Sequence, residues 1–335
     1  MPKAAQFLPD KESFKKDKGI DLEIYQCSGC GLVQLSNEPV PYYKEVIRAV
    51  GISQEMKDFR KEQFSDWVGK FSLQGKKVIE IGSGQGEYLS IMRQCGVEAY
   101  GLEHLEDPNG FNQGPFDGFY ILNYLEHLPD PNSVLRNIYT NLTDGAIGLV
   151  EVPNFDMILR NKLFSEFITD HLFYFTKDTL KRTLEINGFE VLESKEIWHK
   201  YIISAIVKKR EKLNLSAFSE QQTKIKKEIE EYLNRFQNKK VAIWGAGHQS
   251  LTIISLMSLA DKIKYVIDSA PFKQGKYTPA THIPIVSPDR LNSDPVDAVI
   301  IMAAGYSDEV ARIIRQKYDN KINIAILRDY KLEII

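Results

Sequence analysis

The sequence predicts an α/β protein with two sheets, each built from strands that alternate with helices. Two observations carry this prediction. An apolar strand, a glycine-rich turn and an amphipathic helix follow one another from Lys77, and the same order returns from Lys240. Such alternation is typical of doubly wound, largely parallel sheets. A length of 335 residues also exceeds what one simple hydrophobic core accommodates, so two domains are expected.

Composition excludes several classes of protein. The formal net charge is −2, without the basic excess that nucleic-acid binding requires, and no apolar run approaches the roughly 18 residues that span a membrane. The polar N-terminus lacks a signal-peptide core. Three cysteines, Cys27, Cys30 and Cys95, are too few for a disulfide framework. We therefore expect a cytoplasmic protein that binds neither nucleic acid nor membrane.

Residues 1–38 contain a C-x-x-C pair, Cys27 and Cys30, between two short strand-like runs. The pair is half of a zinc ribbon or knuckle, and structural zinc requires four ligands. No second pair or nearby histidine follows, so we expect a hairpin with two reduced cysteines and no metal. Helical sequence then runs from Pro39 to Phe71, with a break at residues 51–53. We expect it to pack on the first sheet or to cover its ligand pocket as a lid.

The first glycine-rich turn is the candidate cofactor site. The strand before it contains Glu80, and a second strand ends on Glu103. Three glycines stand at alternate positions of the turn, Gly82, Gly84 and Gly86. Ligands of doubly wound sheets lie beyond the carboxyl ends of the strands, where glycine lets the backbone approach and an acid accepts hydrogen bonds from ribose hydroxyls.

The residue pattern of this turn indicates which nucleoside it binds. It is G-S-G-Q-G, whereas dinucleotide sites have G-x-G-x-x-G. The string E-I-G-x-G-x-G resembles motif I of class I methyltransferases. That resemblance implies S-adenosylmethionine (SAM) as cofactor and a class I methyltransferase Rossmann-like sheet. The alternative is an ordinary tight turn between strand and helix.

The segment after Glu103 departs from this pattern. Residues 104–116 hold two prolines and two glycines before the next strand, Asp117–Leu122, and a helical crossover needs at least about 10–12 residues. We interpret the segment as a loop, so the sheet lacks one strand–helix unit, unless residues are missing from the sequence here. The next string, Y-L-E-H-L-P-D-P, resembles the segment after the fourth methyltransferase strand. The string lies at the carboxyl edge of the sheet, so Asn123, which we add to the cofactor site, and Tyr124, Glu126 and His127 can face the cleft.

The rest of the first domain, residues 39–208, completes the same sheet. A fifth strand runs from Ala146 to Val152. A helix begins at Thr176 and ends at Asn187-Gly188. Residues 189–194 and 201–207 alternate like the two antiparallel closing strands of this fold.

Residues 209–239 predict a charged linker helix with one apolar stripe. The alternative for this helix is a coiled-coil contact between two copies, so we expect a monomer or a homodimer. Residues 240–335 predict a smaller Rossmann-like domain. Backbone N–H groups at the start of its first helix favour an anion, so its glycine turn suits a diphosphate, unless the domain binds nothing. The candidate substrate-binding residues are Gly245, Gly247, His248, Gln249, Ser250, Asp268 and Lys273.

The order of these parts is similar to the nucleotide-sugar C-methyltransferases of deoxysugar biosynthesis. The most specific signal is a C-terminal pattern, formed by Asp268, Pro271, Lys273, Gln274, Gly275, Pro279, His282, Ile283 and Pro284. The resemblance implies a nucleotide-linked sugar as substrate. That family binds zinc through two cysteine pairs, and only Cys27 and Cys30 match, so zinc is not expected.

The resemblance also implies a catalytic set. The family stretch Y-x-E-H-x-x-x-F stands here as residues 168–175, with Ile168 in place of the tyrosine. His171 matches the base, Asp170 the orienting acid, and His127 a second histidine that handles a proton or stabilises an oxyanion. Histidine suits proton transfer because its pKa lies near neutrality. The alternative for both histidines is a structural role.

Three functions remain in competition at this point. The first is SAM-dependent methyl transfer to a nucleotide-linked sugar, at carbon or, because the tyrosine is missing, at oxygen or nitrogen. The second is a nicotinamide-dependent oxidoreductase that uses the second glycine turn and Asp268, which the missing third glycine disfavours. The third is a degenerate binding protein with a decayed donor pocket, which the shortened segment after Glu103 supports.

Overall fold

A six-stranded sheet organises the first of two compact units, residues 1–212. The computed structural model describes residues 1–3, 8–43, 52–103, 111–237, 240–318, 321–329 and 331–335. The strands of this unit are β1 (Ile24–Gln26), β2 (Val33–Leu35), β3 (Lys77–Ile81), β4 (Glu98–Leu102), β5 (Phe116–Leu122), β6 (Leu142–Pro153), β7 (Phe173–Tyr174), β8 (Phe189–Ile197) and β9 (Ile202–Lys209). Its α-helices are α1 (Gln54–Lys70), α2 (Glu87–Gln94), α3 (Pro131–Thr140), α4 (Phe155–Asn161) and α5 (Lys177–Ile186).

The main sheet has the strand order β4-β3-β5-β6-β9-β8. Its first four strands are parallel, and β9 and β8 close it as an antiparallel pair. The predicted closing strands and the predicted fold class are therefore confirmed. In the described part of the chain the sheet ends at β4, in agreement with a missing strand–helix unit. Residues 104–110, which form most of the shortened segment, lie outside the described residues.

Helices cover both faces of this sheet because its strands are apolar on both sides. Phe64 and Trp67 of α1 and Met92 of α2 pack on one face. Leu135 of α3 and Leu180 of α5 pack on the other. Helix α1 confirms the second half of the helical prediction for residues 39–71, and its first turn is capped by Ser53, whose hydroxyl accepts the N–H of Met56. Residues 44–51 of that prediction lie outside the described residues.

A small antiparallel sheet, in the order β1-β2-β7, joins the N-terminal hairpin to the middle of the chain. Cys27 and Cys30 are free thiols in the turn between β1 and β2. Strand β2 pairs with β7, and the N–H of Leu35 donates to the carbonyl of Leu172 at 2.9 Å. The hairpin therefore holds the segment that follows His171.

The second unit, residues 213–335, has its own six-stranded sheet. Its helices are α6 (Ser216–Leu233), α7 (His248–Leu256), α8 (Arg290–Ser293) and α9 (Ser307–Lys317). Its strands are β10 (Val241–Trp244), β11 (Ile263–Ile267), β12 (Ile285–Val286), β13 (Ala298–Ile301), β14 (Asn323–Arg328) and β15 (Lys331–Ile334).

The strand order of this second sheet is β12-β11-β10-β13-β14-β15, with only β15 antiparallel to its neighbour. The predicted linker helix is α6, and its apolar stripe, with Ile225 and Ile229, lies in the core of this unit. The helix is therefore part of the second unit. Within the described residues, none of the helices combines the length and the apolar surface needed to cross a membrane.

Candidate functional site

The turn between β3 and α2 has a backbone shape that glycine makes possible. Gly82, Gly84 and Gly86 have φ values of 79°, 52° and 83°, in the left-handed region that other residues avoid. The N–H of Gly82 donates to the carbonyl of Leu102 at 2.8 Å, which ties the turn to the end of β4. The turn and Glu103 therefore lie at the same edge of the sheet, where ligands of such sheets bind.

Tyr124 packs directly against this turn. A Cβ at position 82 would lie 2.5 Å from Cδ1 of Tyr124, so the ring needs the glycine in order to fit. Tyr124 is buried, and burial together with nearby Tyr43 and Glu103 raises its pKa to about 12. Its phenol is therefore neutral beside the predicted cofactor site. Tyr124 was absent from the predicted site residues, although it belongs to the Y-L-E-H string.

The other predicted cofactor residues, Glu80, Glu103 and Asn123, differ in burial and in hydrogen bonding. Glu80 is buried and accepts a hydrogen bond from the phenol of Tyr120 at 3.1 Å. Glu103 is exposed immediately after β4. Asn123 has a φ of 50°, and its buried Oδ1 has no hydrogen-bond partner among the described residues. An exposed carboxylate and an unpaired amide oxygen are acceptors that the ribose hydroxyls and ammonium group of SAM can satisfy, so these residues fit that cofactor.

The two predicted histidines lie side by side. His127 follows Tyr124 by three residues in the loop after β5, and it contacts His171 on the segment before β7. The ring centroids of His127 and His171 are 4.7 Å apart in an edge-to-face arrangement. The N–H of Leu172 donates to the carbonyl of Glu126 at 2.8 Å, which holds the two segments together. One ligand atom each from Glu126, His127 and His171 lies within 4.8 Å of the other two. Sequence reasoning placed Glu126 at the cleft but not among the site residues.

Burial controls the charges of this cluster. The carboxyl group of Glu126 is fully buried, which raises its pKa to about 8. Burial, and then the neighbouring His127, lower the pKa of His171 to about 3. Burial also lowers the pKa of His127, although Asp170 acts in the opposite direction. At neutral pH both rings are therefore neutral.

Asp170 contacts different partners from those predicted. Its carboxylate accepts hydrogen bonds from Tyr42 at 2.8 Å and from Thr169 at 3.3 Å. Its main-chain carbonyl accepts Nδ1–H of His127 at 2.7 Å. Asp170 therefore orients His127 through the backbone, whereas the prediction assigned its carboxylate to His171. The carboxyl group of Glu126 also lies beside the rings, with Oε1 3.8 Å from Nε2 of His127.

The glycine turn of the second unit uses its N–H groups internally. Gly245 donates to the carbonyl of Ile267 at 2.7 Å, Ala246 to Oδ2 of Asp268 at 2.8 Å, and Gly247 to Oγ of Ser250 at 3.1 Å. These three N–H groups therefore have partners within the protein, whereas the predicted diphosphate contact at the start of the helix from His248 stays a prediction. The carboxylate of Asp268 accepts the N–H of Ala246.

Lys273 and Asp268 also contact each other instead of standing free. The ammonium group of Lys273 lies 2.8 Å from Oδ2 of Asp268 and donates to the carbonyl of Ala246 at 3.0 Å. The predicted polar residues that remain available are His248, which is exposed, and Gln249, whose Oε1 has no partner among the described residues. A cavity of about 430 Å³ opens nearby, and its lining includes Lys276, Tyr277 and Arg290.

Comparisons with known proteins match both units. Residues 56–194 match the family model described as a methyltransferase domain, and residues 206–326 match the C-methyltransferase C-terminal domain. C-methyltransferase NovU from Streptomyces niveus is 22% identical over 366 aligned positions, which cover 92% of this chain and 86% of NovU.

Solved structures resemble the first unit only distantly. A SAM-dependent methyltransferase from Clostridium acetobutylicum is 11% identical, with a TM-score of 0.37, over 50% of this chain and 96% of that one. Magnesium protoporphyrin IX methyltransferase from Synechocystis, with bound S-adenosylhomocysteine, is 15% identical, with a TM-score of 0.36, over 49% of this chain and 90% of that one. The chain is therefore a SAM-dependent methyltransferase, and its C-terminal part matches the C-methyltransferase C-terminal domain.

Proposed function

We propose that the protein transfers the methyl group of SAM to a carbon atom of a nucleotide-linked deoxysugar, with His171 as the base. One observation carries this proposal. A single loop after β5 places Tyr124 against Gly82 of the cofactor turn, and places His127 against His171 three residues later. Tyr124, which contacts the donor turn, and His127, one of the two histidines, are therefore only three residues apart in one loop.

The acceptor chemistry explains why two histidines suit this loop. A carbon next to a sugar ketone is weakly acidic, so its reaction needs a base and a group that stabilises the enolate oxygen. Neutral His171 has a lone pair that can receive the proton, although its pKa of about 3, lowered by burial, makes it a weaker base than an exposed histidine. The C–H bond breaks, its proton goes to His171, and its electron pair forms the bond to the methyl carbon. When bound, SAM supplies that carbon on a positively charged sulfur, which keeps the electron pair of the broken S–CH₃ bond.

The choice of carbon is supported by the C-terminal family model and by NovU, both described as C-methyltransferases. A sugar oxygen or nitrogen is the second candidate, favoured by Ile168 where the resembling family has tyrosine. The oxidoreductase alternative loses its support, because the N–H groups of Gly245, Ala246 and Gly247 already donate within the protein. For the nucleotide, we propose the C-terminal unit, through His248 and Gln249 or the cavity that contains Arg290.

Calorimetry and isotope exchange together test this function. Titration with S-adenosylhomocysteine is expected to release heat, and titration with NAD is not. Nucleotide-linked keto sugars in D₂O, without donor, are expected to exchange the hydrogen next to the ketone, observed by NMR. The matched control is His199→Asn, because His199 is a surface histidine whose side chain is 76% exposed. Exchange that persists in His171→Asn would remove His171 as base, and methylation without any exchange would favour oxygen or nitrogen as acceptor.

A further inference from the structure

We propose that Glu126, His127 and His171 form a binding site for a divalent transition-metal cation such as Zn²⁺. Their ligand atoms already lie within 4.8 Å of one another. The set of two imidazoles and one carboxylate is the one that catalytic zinc sites use, with a fourth position open. This inference goes beyond the proposed function, because cation binding requires neither methyl donor nor sugar.

The strongest support is the carboxylate of Glu126. The side chain is fully buried, and neither of its oxygens has a hydrogen-bond partner among the described residues. A buried carboxyl group without partners is costly, and such groups in native structures usually have a missing water, ion or functional role. Binding of a cation would release the carboxyl proton and give this group the partner that it lacks.

His127 is oriented as metal-binding histidines are. Its Nδ1 lies 2.7 Å from the carbonyl of Asp170, which can only accept, so Nδ1 carries the proton. The lone pair is therefore on Nε2, the atom that lies 3.8 Å from Oε1 of Glu126. In zinc sites the same arrangement, with the second ring nitrogen donating to a carbonyl, fixes the tautomer and the ring direction.

The remaining ligand and the distances agree with a site that closes on the cation. His171 lies edge-to-face with His127, with ring centroids 4.7 Å apart. Ligands at about 2.1 Å from zinc stand about 3.4 Å from one another in a tetrahedron. Small side-chain rotations therefore suffice to complete the site.

Occupancy has a consequence for catalysis. A cation bound to His171 occupies the lone pair with which the proposed base would accept a proton. Metal loading is therefore expected to suppress methyl transfer while leaving the donor turn, with Gly82 and Gly84, unaltered.

The test is metal titration of the full chain in a Cys27→Ser/Cys30→Ser background, since these thiols would bind zinc themselves. Zn²⁺ calorimetry is expected to show one site per chain, and Co²⁺ is expected to develop visible absorption without thiolate bands. Glu126→Gln, which preserves shape, and His171→Ala are each expected to weaken binding at least about tenfold. Glu185→Gln and His199→Ala are surface controls and are expected to bind as the background does. Circular dichroism checks that each variant is folded.

Three results decide the matter. Absence of a one-to-one site, or equal affinity in the background, Glu126→Gln and His171→Ala, overturns the cation site whatever the protein methylates. A cation-dependent rise in melting temperature that disappears in Glu126→Gln supports it. Binding accompanied by faster methyl transfer also supports the site and instead overturns His171 as the base, so the two proposals fail separately.

Discussion

The imidazole of His127 donates through Nδ1 to the main-chain carbonyl of Asp170 at 2.7 Å. This bond joins the loop after β5 to the segment before β7, 43 residues further along the chain. It fixes the tautomer of His127 and holds that ring beside His171, with ring centroids 4.7 Å apart. Because the acceptor is a backbone group, substitution of the Asp170 side chain leaves this bond in place.

Replacement of His171 by asparagine is expected to abolish methyl transfer while binding of S-adenosylhomocysteine persists. The asparagine keeps a polar side chain but has no nitrogen lone pair that can accept a proton. Turnover with a nucleotide-linked sugar and calorimetry with S-adenosylhomocysteine measure the two properties separately. His199→Asn serves as the control, and full turnover in His171→Asn would contradict the proposed role.

Gly82→Ala is expected to weaken S-adenosylhomocysteine binding and to destabilise the protein by about 1–3 kcal/mol. The new Cβ would lie 2.5 Å from the ring of Tyr124, on a residue with φ of 79°. Gly75→Ala is the matched control, because Gly75 has φ of 69° but a Cβ there meets nothing within 4 Å. Calorimetry and thermal unfolding of both variants separate the steric clash from backbone strain.

Tyr124→Ala tests the same contact from the other side. The double variant Gly82→Ala/Tyr124→Ala lacks the ring atoms at 2.5 and 2.6 Å and keeps only the Cβ at 3.1 Å, so part of the stability lost in Gly82→Ala is expected to return. Additive losses from the two substitutions would show that the Tyr124 ring is not what excludes a side chain at position 82.

Asp268 is expected to make the second unit sensitive to acid. Burial opposes ionisation, but hydrogen bonds from Lys273 and from the N–H groups of Ala270 and Ala246 lower the pKa of Asp268. Its contribution to stability is therefore complete above the ordinary aspartate pKa of about 3.9 and is lost as the pH falls through its lowered folded value. Asp268→Asn is expected to lose about 1–3 kcal/mol at pH 7.

The measurement for Asp268 is urea unfolding of the wild type and of Asp268→Asn between pH 3 and pH 7. The difference in free energy of unfolding between the two proteins should shrink toward acid pH. Asp261→Asn is a suitable control, because Asp261 is exposed in the same unit. A difference that stays constant across the range would contradict the electrostatic account.

Glu151→Gln is expected to destabilise the first unit by about 3–5 kcal/mol. Glu151 and Arg60 are both fully buried, with Nη1 of Arg60 2.5 Å from Oε2 of Glu151. Loss of the carboxylate charge leaves a buried guanidinium without its counter-ion. Denaturant unfolding measures the loss, and Arg60→Met/Glu151→Leu should be more stable than Glu151→Gln alone. Lys70→Met, which affects an exposed pair with Glu193, is the control.

The sheets were predictable because local patterns encode them. Alternation of apolar strands with helices predicted both units, and glycines at positions 82, 84 and 86 predicted a turn that their positive φ values confirm. The packing of α6 was not predictable, because an apolar stripe shows that a helix is buried but not against which core. Side-chain partners also escaped prediction. The hydrogen bond from Tyr42 to Asp170 joins residues that are 128 positions apart in the sequence. Lys273 and Asp268, which were predicted to contact substrate, form an ion pair with each other.

Pairing of β2 with β7 makes the amino-terminal hairpin a support for the segment that carries His171, the proposed base. A chain shortened to begin at α1 would retain every glycine of the first turn and the whole sheet around it, yet the stretch that carries His171 would lose its neighbour strand. We therefore expect deletion of the hairpin to spare donor binding and to impair methyl transfer, which would give the hairpin a purpose that does not depend on metal binding by its two thiols.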